Sequence, residues 1–569
     1  MTSSPNSEDV VTQITGNFGK WQLKTLIFIC LCKIPATWFM ACISFTAPVP
    51  QTAEFLCIPP ERDVDHHTLH PAELWLKNQT SVGGEMLEKT DREFFIDQCY
   101  TYRLTNGTNR TEYEWKITAR NRSGLFGNSE MELDEVPCEH FEHRAEYKSV
   151  VTQFDLVCSR EMLVSLTQAF HALGGLIGGL MAMNILKFVS PKRLMMYGII
   201  GQIICGNLTG LVSTFILHVY NRCLTAAFCS FMTVSGQVIV TDITSGKQRT
   251  IILVLSELFA SIALILLPGV SMYCDSWTYL YIAISSSLLL FIIPHRFITD
   301  SPRWHLKKGN MNETLRILSE AATINCREIP NDVLSRLEQK SWQMRNSRSP
   351  SYWTIWDGKT PRRFIVMLHW NWSVSVVVYT VMILMIRLLG VKYMHVNTFC
   401  LGFAEMLGIA MGLYIILYTR RHWLHSGFLL IFAGFTTYFI WLSPDGVKES
   451  RKAGYELCFW LILKMLNSAV LVVLSTRTAE MVSVEKRPML MLSTGCFSKF
   501  WLTVVPFSLV VGKIHYLLPM TMFATAAISS GLMLCYFNRY YQNSEVKKGS
   551  VPAQNGGYRK RSSLLFEDN

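Results

Sequence analysis

Residues 298–310 read ITDSPRWHLKKGN, and they follow directly on a long apolar run. A proline, an arginine, a tryptophan and two lysines crowd together where a membrane-crossing helix has to end. The stretch is either the wet end of a hydrophobic segment or a fixed part of a larger machine, and the surrounding chain decides which. Half of the 569 residues are apolar and only 17% are charged, too little charge to cover several soluble domains. The apolar residues gather in stretches of about 20, the length that crosses roughly 30 Å of hydrocarbon. Lipid offers no partner to a backbone N–H or C=O, so these stretches are expected to be helices. The fold class is an all-α, polytopic membrane protein.

Before the quoted stretch, spans are expected near 21–49, 162–187, 193–214, 217–241, 250–273 and 277–296. After it they are expected near 364–388, 396–418, 423–443, 455–480, 490–512 and 515–536. The first span contains Lys24 and Lys33, so it is longer than a minimal span and tilted. The divisions are a cytoplasmic N-terminus (1–20), the first helix (21–49), a large extracellular loop (50–160), helices 2–6 (161–296), a cytoplasmic central loop (297–361), helices 7–12 (362–537) and a disordered cytoplasmic tail (538–569). Residues 1–20 lack the layout of a cleavable signal peptide. The tail motif RKRSS reads as solvated chain. In the central loop, NMNETLRILSEAATI and NDVLSRLEQKSWQM carry helical periodicity and Asn caps, so short amphipathic helices are expected there.

The large loop holds Cys57, Cys99, Cys138 and Cys158, with glycosylation sequons at Asn78, Asn106, Asn109 and Asn121. That combination implies an oxidising, extracellular side. Four cysteines allow three pairings, and sequence does not choose among them. Sequons at Asn207, Asn312 and Asn371 fall in spans or in the central loop and read as chance matches. His66, His67, His70, His140 and His143 are too irregularly spaced for a metal site. The net charge of +11 comes from lysines and arginines in short loops and tails on the cytoplasmic side. This places both termini inside, in a multi-pass protein expected in the plasma membrane, and leaves no basic domain for nucleic acid. SPDGVKESRKAG at 443–454 is the exception, an outer loop with three basic residues. No Walker, metal-ligand or hydrolase motif is found, so neither an enzyme nor a cofactor is expected. GGLIGGL at 174–180 has small residues at helix-packing spacing.

Six helices, a loop and six more is the layout of the major facilitator superfamily, which binds substrate between its halves. DSPRWHLKKGN resembles the segment after the sixth helix of the organic cation/anion/zwitterion transporter family, the family 22-like solute carriers of that superfamily. FDLVC at 154–158 is similar to the end of that family's first loop. The resemblance implies a 12-helix transporter of small organic ions working by alternating access, with the lipid bilayer and a small organic ion as its partners.

It also implies gating roles for Asp242 and Arg249, for Glu480 and Arg487, and for Lys464 and Arg222, as ion pairs or helix-end charges at the inner side. Lys499, in STGCFSKFWLTVVPF, matches the position whose charge follows substrate sign, and a lysine leans towards anions or zwitterions. Glu405 matches an acidic position of the eighth helix; it either balances Lys499 or takes an ammonium group. Trp372 and Tyr379, two helical turns apart, match aromatic positions lining the cavity, where π faces hold apolar bodies or cations. His171 and His369 are candidates for proton-linked groups or buried structural histidines. The chain departs from the family where Phe188 and Pro191 replace the aspartate and glycine of the loop between helices two and three, in LYTRRHW, and in WTYL. Two alternatives follow: an organic cation transporter, and a non-transporting receptor or accessory protein.

Overall fold

In the computed structural model the described residues are 10–48, parts of 55–146, 147–329, 332–346, 356, 362–385, 393–441, 449–480, 487–511 and 518–549. The chain divides into two compact units. One comprises Met1–Phe45, Ser165–Cys274 and Thr278–Asn569, and the other Thr46–Val164 with Asp275–Trp277.

The first unit is helical. A short helix α1 (Val10–Thr15) precedes the first span, α2 (Lys20–Ala41), which runs on through a single turn, α3 (Ile43–Thr46). After the second unit's turn α4 (Val150–Gln153) come the spans α5 (Met162–Ile185), α6 (Pro191–Leu211), α7 (Phe215–Ile243), α8 (Gly246–Met272) and α9 (Trp277–Ser286). Three connecting helices follow: α10 (Pro302–Lys308), α11 (Met311–Ile324) and α12 (Val333–Asn346). The second half consists of α13 (Arg362–Met385), α14 (Met394–Tyr418), α15 (His422–Trp441), α16 (Glu449–Glu480), α17 (Arg487–Val511) and α18 (Leu518–Gly549). Among the described residues, 11 helices are long and apolar enough to cross a membrane. The helix α15 occupies the remaining expected position. Eleven of the expected spans thus coincide with helices long and apolar enough to cross.

Two differences have local causes. The sixth span is α-helical only to Ser286 and continues as 3-10 turns over Ser287–Phe291 and Pro294–Phe297. Here the hydroxyls of Ser285 and Ser287 bond to the carbonyls of Tyr281 and Ile284, and Pro294 supplies no donor. At the other end of the chain, helix continues to Gly549, so residues 538–549 are not disordered as expected. RYYQNSEVKK contains neither glycine nor proline to stop the helix.

The quoted stretch folds by short-range rules. Ser301 caps α10, accepting from the Trp304 amide at 3.1 Å, with Pro302 at the first helical position. His305, Lys307 and Lys308 occupy the last turn, and Gly309 closes it at φ +76°, a backbone state that glycine adopts freely. The apolar faces of α1, α10, α11 and α12 meet in a cluster that includes Val11, Ile14, Leu306, Leu318 and Leu337. Asn325 stitches the N-terminus to it, donating to the Thr15 carbonyl and to Gln22 at 2.9 Å each.

Each half has its own core. Phe28, Ile199, Met232 and Leu288 pack in the first half, and Phe364, Trp423, Leu474 and Leu534 in the second. The halves meet where α8 packs along α14. Gly402 lets them close, because a Cβ there would lie 3.0 Å from the Ser261 carbonyl. Near the ends of the first and seventh spans, Ser44 Oγ donates to the Ile383 carbonyl at 3.2 Å.

The second unit has three antiparallel strand pairs: β1 (Phe55–Ile58) with β6 (His140–His143), β2 (Phe94–Phe95) with β4 (Arg120–Asn121), and β3 (Tyr100–Leu104) with β5 (Leu133–Pro137). Cys138 and Cys158 are both disulfide-bonded. The side chains of Cys57 and Asn121, and all of Cys99, Asn78, Asn106 and Asn109, lie outside the described residues. Within FDLVC, Asp155 and Cys158 adopt φ of +50° and +54°, and Asp155 takes a 2.7 Å hydrogen bond with His143. That contact gives His143 a structural partner.

Candidate functional site

A charge inside a span costs about 2.5–3.5 kcal/mol on insertion scales, so each one needs a partner or a wet cavity. In the first half, Lys33 of α2 pairs with Glu257 of α8 at 2.8 Å and donates to Ser256 Oγ at 2.9 Å. Arg222 of α7 is buried. It donates to Gln168 Oε1 at 2.7 Å and to the Tyr281 hydroxyl. In the second half, Glu405 of α14 and Lys464 of α16 pair at 2.8 Å, with side chains 5% and 0% exposed. The Tyr379 hydroxyl of α13 donates to both Glu405 oxygens at 3.1 and 3.2 Å. Its ring centroid lies 3.3 Å from the Lys464 ammonium.

Lys499 is different. From α17 it reaches across to the first half, where Nζ donates to the Gly175 carbonyl at 2.8 Å and to Ser230 Oγ at 3.2 Å. Among the described residues no carboxylate pairs with it; the acidic partner suggested for it, Glu405, belongs to Lys464. The GGLIGGL segment explains the reach. Gly174 and Gly178 face α7, where a Cβ would come within 2.0 Å of the Cys223 carbonyl and 2.5 Å of Ala227. Gly175 and Gly179 instead leave room for the lysine, whose Nζ lies 3.6 and 3.7 Å from where their Cβ atoms would be. Sequence reasoning found the packing pair and missed the clearing pair; the doubled four-residue spacing was the available signal. His171 lies within electrostatic reach of both Arg222 and Lys499.

The other expected residues fall in separate places. Arg222 and Asp242 do not share one side of the bundle, and Lys464 is not at a helix end. Arg222 lies near the start of α7, at the opposite end from Asp242, and Lys464 is in the middle of α16. Asp242 accepts from Ser301 Oγ, and Arg249 donates to the Thr244 carbonyl at 2.9 Å. The side chains of Glu480 and Arg487 lie outside the described residues. Trp372 Nε1 donates to Thr478 Oγ1 at 3.2 Å. His369 contacts the Ile365 carbonyl and Ser493 Oγ at 2.7 and 3.0 Å, as a structural histidine does. Asn207 and Asn371 sit inside spans and bond to the carbonyls of Ile203 and Met367.

Comparison with known proteins follows this geometry. The family model described as Major Facilitator Superfamily matches residues 156–551. The chain belongs to the major facilitator superfamily. Within it, the chain is 26% identical to rat solute carrier family 22 member 3, over 72% of this chain and 71% of that one. It is 24% identical to the Drosophila melanogaster organic cation transporter protein, over 92% and 90%. It is 22% identical to human solute carrier family 22 member 13, over 91% and 88%. These relatives agree with the family 22-like resemblance of the motifs. In fold it is similar to the xylose transporter XylE of E. coli in a partially occluded inward-open conformation, with TM-score 0.55 and 11% identity, over 95% and 100% of the two chains. A chain of this superfamily is a transport protein rather than an enzyme.

The superfamily frame gives meaning to one departure. In the loop before α6, Phe188 stands where the resemblance implies an aspartate. Asp300, from the stretch quoted at the outset, sets a carboxylate against the start of α6. Its Oδ1 accepts from the Lys192 amide at 3.1 Å and the Ser301 amide at 2.9 Å, and its Oδ2 contacts His305 Nε2 at 3.3 Å. Burial pushes its carboxyl up, but hydrogen bonds from His305, Ser190 and the two amides outweigh burial and hold it below the usual carboxylate value. Lys192 Nζ in turn donates to the Ile298 carbonyl at 2.6 Å, and Trp304 Nε1 to the Leu186 carbonyl at 2.7 Å. Sequence reading gave Asp300 and Trp304 to the motif but assigned them no contact.

Proposed function

We propose that this transport protein carries small organic ions by alternating access and that its binding path favours organic anions, or zwitterions held by their carboxylate. The observation that carries the reading is Lys499, a half-buried residue at the boundary between the halves whose ammonium contacts a carbonyl and a hydroxyl. Neutral partners leave its charge uncompensated, so an anionic group entering between the halves gains a charge-assisted hydrogen bond. Glu405 is the only acidic group of the expected binding set, and Lys464 neutralises it. Trp372 and Tyr379 would pack the substrate's body. Asp242, Arg249, Glu480 and Arg487 would latch the inner side, with Arg222 and Lys464 holding each half's interior rigid while the halves rock. The extracellular loop with its sequons, the cytoplasmic termini and the plasma membrane belong to the same reading.

The printed name of the Drosophila relative favours a second reading, an organic cation carrier, in which Glu405 would have to leave Lys464 to meet its substrate. The test is uptake into expressing cells of labelled organic anions, cations and zwitterions, with Lys499→Asp beside the wild type and surface protein measured for both. Saturable anion or zwitterion uptake, lost or reversed in charge preference in the variant, is expected. Cation uptake that survives the substitution refutes the anion reading. No uptake of any probe, with protein at the surface, supports the non-transporting alternative.

A further inference from the structure

The charges of the membrane unit include one pair that the reading above does not use. Lys33 and Glu257 meet at 2.8 Å, but the Glu257 side chain is 43% exposed and Lys33 15%. The pair in the second half, at 5% and 0%, is sealed by comparison. Glu257 lies in α8, the span of highest hydropathy, 2.5. A carboxylate does not stay exposed to hydrocarbon, so its open face meets a wet path. Lys33 and Ser256 also line a small, mainly apolar cavity at mid-span, with Cys30, Thr233 and Gln237 among its walls.

The groups facing Glu257 are few. Lys33 and Cys30 approach from α2, and Tyr379 of α13 lies within electrostatic reach. The elements α14 and α16 also pack on α8; their Glu405 and Lys464 satisfy each other, and Arg477 is turned to the Ile416 carbonyl. On α8 itself, Lys247 and Arg249 lie at the far inner end. Among the described residues Glu257 therefore has one cationic partner, and Lys33 one anionic partner. A proton and an organic anion can each replace half of that pair.

We infer that Lys33 and Glu257 form a second ion-binding subsite at which an organic anion binds Lys33 as a proton binds Glu257. The inference rests on the anion reading above. The proton adds to one Glu257 oxygen, which ends the attraction to Lys33. The freed ammonium, still held by Ser256, takes the anion's oxygen as its new partner. No other bond changes. One proton and one monovalent anion enter together, so the loaded site has the same net charge as the empty one. Without the proton, an anion would have to displace a carboxylate already 2.8 Å from the lysine and would leave that carboxylate uncompensated.

The test uses labelled p-toluenesulfonate, which stays anionic throughout the range measured, so its own protonation cannot create a pH effect. Uptake by cells expressing the full chain is compared at about pH 5.5 and about pH 7.5, for wild type, Glu257→Gln and Lys499→Asp. Wild-type uptake is expected to be several-fold faster at the acid pH, and Glu257→Gln to take up sulfonate at one rate at both. A flat wild-type profile, or a Glu257→Gln profile that keeps the acid preference, overturns the inference. A second readout needs no variant: adding sulfonate to lightly buffered wild-type cells should make the medium more alkaline, and an unchanged medium pH during uptake also overturns it. Sulfonate uptake that Lys499→Asp abolishes but pH leaves unchanged sinks this subsite and leaves the anion reading standing. Absence of sulfonate uptake in wild type, with cation uptake intact, sinks both.

Discussion

Replacing Lys464 with methionine should destabilise the second half more than replacing Lys464 and Glu405 together. The pair sits at 2.8 Å with its side chains 0% and 5% exposed, so neither charge has water to fall back on. At an effective dielectric of about 20, two unit charges at that distance attract by roughly 6 kcal/mol. Desolvation already offsets much of that in the intact protein. In Lys464→Met the Glu405 carboxylate stays buried with only the Tyr379 hydroxyl as donor. Breaking a buried pair from one side costs about 3–5 kcal/mol, whereas replacing both ions by apolar groups is often close to neutral. The double variant Lys464→Met/Glu405→Leu should therefore recover most of the loss, with a coupling of about 2–4 kcal/mol. Reversible unfolding in mixed micelles, run as a double-mutant cycle, measures this directly. A loss below about 1 kcal/mol for Lys464→Met would show the pair to be solvated, as surface pairs are. That result would refute the sealed site and return Glu405 to the set of groups free to meet substrate.

Three further outcomes follow from the contacts. Gly178→Ala should cost about 1–3 kcal/mol, because its Cβ would lie 2.5 Å from Ala227 backbone atoms; Gly179→Ala, with 3.7 Å to Lys499 Nζ, should leave unfolding unchanged within error and alter uptake instead. Ser301→Ala removes both the cap of α10 and the donor to Asp242, and thermal unfolding should show a loss of about 1–2 kcal/mol. Asp300 has its folded carboxyl held below the ordinary value, so its stabilising contribution is present above the unfolded value of about 3.9 and disappears as pH falls through the folded one. Asp300→Asn should thus be less stable than wild type at neutral pH by about 1–3 kcal/mol, with the difference shrinking on acidification; a difference that stays constant with pH contradicts the assignment.

Local rules were enough for a large share of the molecule. Apolar length placed the spans, since the bilayer fixes how long a helix must be and the backbone has no other way to satisfy itself there. The same held for the quoted stretch, where Ser301, Pro302 and Gly309 each act within a turn of their own position. Motif resemblance supplied the superfamily, because DSPRWHLKKGN and FDLVC are contiguous in the chain. Where local signals were weak, the expectation slipped: the tail beyond residue 537 reads as polar, yet residues 539–548 contain no breaker and the helix continues to Gly549.

What sequence alone did not determine was which charge meets which. Lys499, Lys464 and Lys33 look alike as lysines inside apolar runs, and the sequence reading offered Glu405 to Lys499 or to a substrate ammonium group. Their pairing depends on the rotation of each helix about its axis and on which helices are neighbours, and both are set by side-chain packing over the whole bundle. Because α14 lies against α16, Glu405 is given to Lys464. Because Gly175 and Gly179 open the facing surface of α5, Lys499 crosses to the other half with no acid to meet it. The chain's sequence fixes the number and length of its helices through the physics of the bilayer. Only the packed structure decides which charge inside the bundle is paired with another and which meets neutral groups.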